Sequence, residues 1–332
     1  MIFEGLPTTP TAEELLDTAF SRAARAGRAK QGVEAQESML QTASNVLHDN
    51  LENVVRQWPD LETVDPFYLE LADAIVGVDD LRQSLSEISW AAGKTHDLGR
   101  EYIGRLPRDD PETARKLRKQ AFARMGSVVN EVGDDLAFVG EARDSLKTLP
   151  DISPDEPAIV TAGYPNVGKT AFVNAVTNAR NETAAYPFTT KGVRVGHVER
   201  AHVRYQLVDT PGLLDRPAAE RNDIESQAVS ALTHLADAVL FLLDPSETCG
   251  YPMERQRALL EELRETFDVP FVVVANKADV LDGAESRPPD ADHSMVIPDH
   301  GEPIPDAASP EDILDIVVDA IGYDPELPFE DS

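Results

Sequence analysis

Gly163-Tyr164-Pro165-Asn166-Val167-Gly168-Lys169-Thr170 matches the pattern G-x-x-x-x-G-K-[ST] at every fixed position. The apolar run just before it, Ala158-Ile159-Val160-Thr161-Ala162, reads as a buried strand. Residues 169–178 read as a helix. A strand, a glycine loop and a helix start bring free backbone N–H groups and the positive end of a helix dipole to one point, which makes an anion site. The stretch predicts a nucleoside triphosphate, with Asn166, Val167, Gly168, Lys169, Thr170 and Ala171 around its phosphates. Lys169 suits the β- and γ-phosphates as a compact cation, and the Thr170 hydroxyl suits Mg²⁺.

Three further stretches extend this site. Asp209-Thr210-Pro211-Gly212 follows the apolar run 203–208. A carboxylate there can hold Mg²⁺ through water, and Gly212 lets a backbone N–H approach the γ-phosphate. Loss of that phosphate would release the loop, an order–disorder switch. Asn276-Lys277-Ala278-Asp279 closes the apolar run 271–275. The Asp279 carboxylate can accept two hydrogen bonds from guanine N1–H and the 2-amino group, and adenine has no such donor pair. Asn276 braces the base and the neighbouring loop, and Lys277 lays its stem along the base. Tyr186-Pro187-Phe188-Thr189-Thr190-Lys191 lies where a GTPase needs a threonine that senses the γ-phosphate through Mg²⁺. Thr190 is preferred for this, and Thr189 is the alternative. Lys169, Thr190 and Gly212 are thus the candidate catalytic groups, and Thr170, Thr190 and Asp209 the candidate Mg²⁺ ligands. For the guanine O6 contact the best candidate is Ser294-Met295-Val296-Ile297-Pro298-Asp299, which fits no standard motif. Leu213 stands where Ras-type enzymes carry a water-orienting Gln, so hydrolysis is slow or another group positions the water.

Residues 1–150 read as helical throughout. Thr11-Ala12-Glu13-Glu14 is a capping box. Apolar spacings of three and four continue through Leu40–Trp58, Leu81–Tyr102 and Leu117–Leu146, which predicts an α-helical bundle. The proline-rich segment 151–157 reads as a linker. Beyond it, short β-branched runs alternate with helical ones over 158–322, which predicts a mostly parallel sheet with helices on both faces. The adjacent runs 193–198 and 203–208 predict one antiparallel edge hairpin. Residues 323–332 read as an acidic tail.

The chain has 332 residues and a formal net charge of −30, with 8 Lys against 22 Arg. Abundant acid with scarce lysine is the composition of a protein kept soluble in a very salty cytoplasm, where at about 1 M salt the Debye length is about 3 Å. The rival reading is an acidic protein with basic partners in ordinary salt. In molar salt, charge sign alone does not exclude RNA. Residues 1–150 carry a net −9 and residues 151–332 a net −21. Within the less acidic half lie two basic clusters, Arg22, Arg25 and Arg28, then Arg115, Lys116, Arg118, Lys119 and Arg124. They read as a solvated helix surface or as a polyanion contact. The single cysteine, Cys249, excludes an internal disulfide. The first residues lack the basic and apolar regions of a secretory signal, and no apolar run spans a membrane, so a cytoplasmic location is expected.

GYPNVGKT, YPFTTK, VDTPGLLDRP, the stretch 221–232, Asp244-x-Ser246-Glu247-x-Cys249-Gly250 and VVVANKADV together resemble the nucleolar GTP-binding protein 1 (Nog) family of Obg-like GTPases. Val64-Asp65-Pro66-Phe67-Tyr68 and Ala123-Arg124-Met125-Gly126 look like that family's N-terminal helical domain. The resemblance implies a helical bundle followed by a Ras-like P-loop GTPase domain, with large ribosomal subunit precursor and rRNA as partners of the helical domain. In related GTPases with an apolar residue after the DxxG glycine, a phosphate-loop Asn binds K⁺, and Asn166 matches that position. Eukaryotic members carry a long C-terminal extension, so an archaeal, halophile-type member is expected. Two alternatives stay open: a GTP-gated rRNA- or ribosome-binding module with negligible intrinsic turnover, and an Obg-like translation or stress regulator.

Overall fold

The computed structural model describes residues 2–3, 5–147, 149, 152–177, 182–184, 193–281, 287–297 and 307–323. Two compact units result, one from residues 2–64 and 75–147, the other from residues 65–74 and 148–332 with residue 1. Residue 151 of the linker segment and residues 324–332 of the acidic tail lie outside the described residues.

The helices in the N-terminal half are α1 (Ala12–Arg28), α2 (Gly32–Arg56), α3 (Pro66–Val76), α4 (Val78–Gly104), α5 (Pro111–Glu131) and α6 (Gly133–Leu146). In α1 the Thr11 hydroxyl accepts the Glu14 N–H at 3.2 Å, while the Glu14 carboxylate accepts the Thr11 N–H at 2.8 Å. That reciprocal pair satisfies donors which the first helical turn otherwise leaves open. The α2 stripe Leu40, Ala43, Leu47, Leu51 and Val54 is buried, with α1, α4 and α5 packed against this helix. The apolar period running through 117–146 covers two helices. The break falls at Val132, whose φ −97° and ψ 19° leave the helical region, next to Gly133. Val132 remains buried, so the stripe stays continuous across the break and periodicity alone does not reveal it. Helix α3 starts from local chemistry: Asp65 accepts the Phe67 N–H at 2.9 Å, and Pro66 takes the first helical position.

The second unit is built on β1 (Ala158–Ala162), β2 (Glu182–Ala184), β3 (Val193–Arg200), β4 (Val203–Asp209), β5 (Ala238–Leu243), β6 (Phe271–Ala275) and β7 (His293–Ser294), in the order β2-β3-β4-β1-β5-β6-β7. Central strand β1 runs parallel to β4 and β5, and β5–β6 and β6–β7 are also parallel. Strand β3 runs against β2 and β4. The β3–β4 hairpin turns at Ala201 and His202, both at positive φ, without the Asn-Gly or Gly signal such turns usually carry. It is not an edge hairpin as the sequence reading expected, because β2 pairs along its outer side.

The remaining helices are α7 (Lys169–Val176), α8 (Asp223–Leu235), α9 (Met253–Thr266) and α10 (Pro310–Ile321). The chain leaves β1 through α7 toward the β4 side, and travels the opposite way from β4 through α8 to β5 and through α9 to β6. Right-handed crossovers put α7 on one face and α8 and α9 on the other. Helix α10 packs beside α7. This arrangement collects the ends of β1, β4, β5 and β6, and the loops after them, at one edge of the sheet. Among the described residues, no helix is long and apolar enough to cross a membrane.

Candidate nucleotide site

At the end of β1 the backbone takes φ +126° at Gly163, where a Cβ would lie 2.4 Å from the Leu242 carbonyl oxygen. Only glycine fits there. Gly168, at φ +111°, starts α7 and approaches Asn276 so closely that a Cβ would lie 2.2 Å from its Nδ2. Asn166 is left-handed at φ 63°. Helix α7 has no side-chain cap, so the N–H groups of Lys169, Thr170 and Ala171 have no acceptor within the helix. Lys169 is buried and folds back over the loop, with Nζ donating to the carbonyls of Gly163 at 2.6 Å and Tyr164 at 3.0 Å. The loop is a ring of donors with a buried ammonium at its centre.

Beside it, the Thr170 hydroxyl donates to Asp209 Oδ2 at 2.5 Å across the α7–β4 contact. Asp209 is fully buried at the end of β4. This hydroxyl–carboxylate pair is a hard-oxygen donor set of the kind Mg²⁺ takes. Among the described residues no group of three or more His, Cys, Asp or Glu could hold a metal, so an ion here would complete its shell with phosphate and water oxygens.

Past Asp209 the chain turns at Gly212, φ +94°. The Gly212 N–H donates to Asp215 Oδ2 at 2.9 Å, and Arg216 Nε donates to the Gly212 carbonyl at 3.1 Å. Leu213 and Leu214 are fully buried. The position after Gly212 therefore belongs to the core.

Asn276 Nδ2 donates to the Val167 carbonyl at 2.8 Å, tying the end of β6 to the phosphate loop. Lys277 is left-handed at φ 60°, and its Nζ donates to Asp244 Oδ2 at 2.7 Å and Thr248 Oγ1 at 2.9 Å. Asp244 is fully buried. Burial alone would raise its pKa, but hydrogen bonds from Lys277, Ser246 and Cys249 outweigh it and hold the carboxyl below the ordinary carboxylate range. Asp279 is half-exposed and has no hydrogen-bond partner among the described residues.

Part of this set borders one cavity of about 560 Å³, while Asp209, Gly212 and Asp244 stand behind its wall. Its wall includes Asn166, Lys169 and Thr170 on one side and Asn276, Lys277 and Asp279 on the other, with Val296 and Ile297 as apolar lining. That size suits a small-molecule ligand of nucleotide dimensions. Asp215 and Arg194 also border it and were not read from the sequence. Asp215 could have been found as the acid three residues after Gly212; Arg194 gave no motif signal. Asp244 could have been found from the D-x-S stretch. Thr189 and Thr190 lie outside the described residues, as do Pro298 and Asp299.

The basic clusters lie in the helical unit. Arg22, Arg25 and Arg28 are exposed on α1, as are Arg115, Lys116, Lys119 and Arg124 on α5. Phe20 and Phe122 stack at 4.5 Å between these two helices. Arg118 is half-buried, donating to Gln36 Oε1 at 2.8 Å over the Phe122 ring. Lys116 pairs with Glu112 and Arg124 with Glu101.

Fold and site together are those of a P-loop GTPase domain preceded by a helical unit. The NOG1 N-terminal helical domain model matches residues 3–153, and the nucleolar GTP-binding protein 1 model matches residues 223–279. The chain is 39% identical to an uncharacterised protein of Methanocaldococcus jannaschii, over 84% of this chain and 81% of that one. It is 36% identical to nucleolar GTP-binding protein 1 of Drosophila melanogaster, over 70% of this chain but 36% of that one. A Plasmodium falciparum crystal structure described by the same family name is 29% identical, over 52% of this chain and 90% of that one, with TM-score 0.44. The chain belongs to the nucleolar GTP-binding protein 1 family. It spans less than half the length of the eukaryotic relatives it matches.

Proposed function

We propose that the chain binds GTP with Mg²⁺ and hydrolyses it to GDP and phosphate, as a switch in large ribosomal subunit assembly. The observation that carries the reading is the single cavity bordered both by Lys169 and Thr170 and by Asn276, Lys277 and Asp279. In it the Lys169 ammonium and the first N–H groups of α7 meet the phosphates, while the Asp279 carboxylate reads guanine. Asp244 holds Lys277 in place, and Asn276 fixes the distance from base turn to phosphate loop. Thr170 and Asp209, with Thr190, would hold Mg²⁺, which when bound supplies charge neutralisation between the β- and γ-phosphates. The γ-phosphate and the Asp215 carboxylate compete for the Gly212 N–H, which couples that loop to the nucleotide state.

Leu213 is fully buried, so its side chain orients no water. Slow intrinsic turnover follows. A K⁺ ion at Asn166 would add positive charge near the β- and γ-phosphates. Turnover in KCl should then exceed that in NaCl at equal ionic strength by about tenfold or more, within the range that added charge at this position gives. Equal turnover in the two salts would remove Asn166 from the mechanism. Leu213 also supports a second reading, a GTP-gated binding module with negligible turnover of its own. Turnover with and without large-subunit precursors, in molar KCl, separates the two.

The ribosomal part of the proposal draws on the name borne by the relatives and on the exposed Arg and Lys of α1 and α5. With 60 acidic against 30 basic residues, the protein suits a cytoplasm rich in KCl. Tagged protein purified from cells in high salt, with GTP or GDP, should bring down large-subunit rRNA, and more with one nucleotide than the other. Absence of that rRNA with both nucleotides would sink the ribosomal reading and leave the GTP site standing.

A further inference from the structure

We propose that Arg194 is a built-in cation for the γ-phosphate, a catalytic residue supplied by the second strand of the sheet. The inference rests on the GTP reading above. Arg194 on β3 lies directly opposite Asp209 on β4 in the antiparallel register. Side chains directly opposite one another in such a pair share a face of the sheet. Asp209 uses that face to meet Thr170 on α7, so Arg194 faces the same way. It borders the nucleotide cavity together with Thr170, Pro211 and Asp215. Pro211 and Asp215 flank Gly212, the donor assigned to the terminal phosphate, and this sets Arg194 at the γ end of the cavity.

The Nε of Arg194 is buried and has no hydrogen-bond partner among the described residues. A buried donor without an acceptor is destabilising, and more so when it is charged. Phosphate oxygens are the acceptors this cavity is built to receive. The guanidinium fork matches two of them at once, which a lysine cannot do. Such a group stabilises charge and acts separately from water positioning, for which buried Leu213 supplies no polar atom. In hydrolysis the water oxygen bonds to the γ-phosphorus and the bond to the β–γ bridging oxygen breaks. That oxygen leaves with GDP, and a water proton is released from the phosphate product. Negative charge grows on the γ-oxygens and the bridging oxygen as the bond breaks, and Arg194 stabilises it there.

The test compares the 332-residue chain with Arg194→Gln and Arg194→Lys in molar KCl and Mg²⁺. It titrates GDP and a non-hydrolysable GTP analogue and measures single-turnover GTP hydrolysis. Arg194→Gln should leave GDP affinity within about twofold, weaken the analogue by about tenfold and slow hydrolysis by about a hundredfold or more. Arg194→Lys should recover analogue affinity more than rate, and it keeps the test valid if the Gln variant does not fold. A wild-type chain that binds no GDP would overturn the GTP reading itself. Normal GDP binding with unchanged analogue affinity and rate in both variants would overturn the assignment of Arg194 alone. Equal loss of GDP and analogue affinity would also overturn it, because that pattern belongs to a residue that positions Asp209.

Discussion

Asp279→Asn is expected to weaken GTP by about a hundredfold or more and to create binding of xanthosine triphosphate. The carboxylate accepts from guanine N1–H and the 2-amino group, and hydrogen bonds to a charged group contribute about 1.5–3 kcal/mol each. An amide keeps one acceptor and turns its other end into a donor. That donor opposes the guanine 2-amino group but meets the xanthine 2-oxo group. At about 1.4 kcal/mol per tenfold, the loss for guanine reaches about two decades. Competition of fluorescent GDP against both triphosphates reads the switch. Unchanged preference in the variant would remove Asp279 from base recognition and leave the phosphate loop untouched.

Lys169→Ala is expected to weaken GTP about as strongly as Asp279→Asn does, through the phosphates instead of the base. Its Nζ is buried between the carbonyls of Gly163 and Tyr164. The variant loses the ammonium at the β- and γ-phosphates and leaves those two carbonyls without their donor. Charge-assisted contacts to two phosphates, at about 1.5–3 kcal/mol each, give a loss of about a hundredfold or more for GTP, and the one β-phosphate contact gives a loss of about tenfold or more for GDP. Calorimetric titration measures it, and the far-ultraviolet circular dichroism of the variant shows whether the domain stays folded. Near-normal affinity in a folded Lys169→Ala protein would contradict the phosphate-cradle reading. The contrast with Arg194 is informative, since Lys169 acts on both nucleotides and Arg194 on the triphosphate alone.

The two predictions draw on residues whose positions were legible in the sequence, and the reason is physical. A phosphate loop needs glycine where the backbone turns left-handed, and Gly163 and Gly168 sit where any Cβ collides. A lysine one residue past the second glycine is then fixed in register at the start of α7. The apolar run 271–275 announced β6, because a central strand is buried on both faces, and β4 showed through its buried end, residues 205–208. In the helical half, the capping box at Thr11 and the stripe along α2 were legible for the same reason of local period and local hydrogen bonding.

What escaped the sequence depends on neighbours distant along the chain. Periodicity ran through the break at Val132, because the residue at the break is itself core. The short strand β2 has too few residues to show a pattern, and its pairing with β3 turned an expected edge into an interior strand. The Ala201-His202 turn lacks the usual residues for its backbone, and its tightness follows from the long β3–β4 register. Arg194 enters the cavity through its register with Asp209, and Asp244 reaches Lys277 because β5 and β6 end side by side. Leu213 could be read as lacking a polar atom, but only packing shows that its side chain is in the core.

The most direct test of the central claim is an equilibrium titration of the 332-residue chain with GTP and with ATP, in Mg²⁺ and molar KCl. The geometry requires both the phosphate cradle and the Asp279 turn to contribute. GTP should therefore bind at least about a hundredfold more tightly than ATP, the equivalent of two hydrogen bonds to a charged acceptor. Comparable affinity for the two nucleotides would contradict the account.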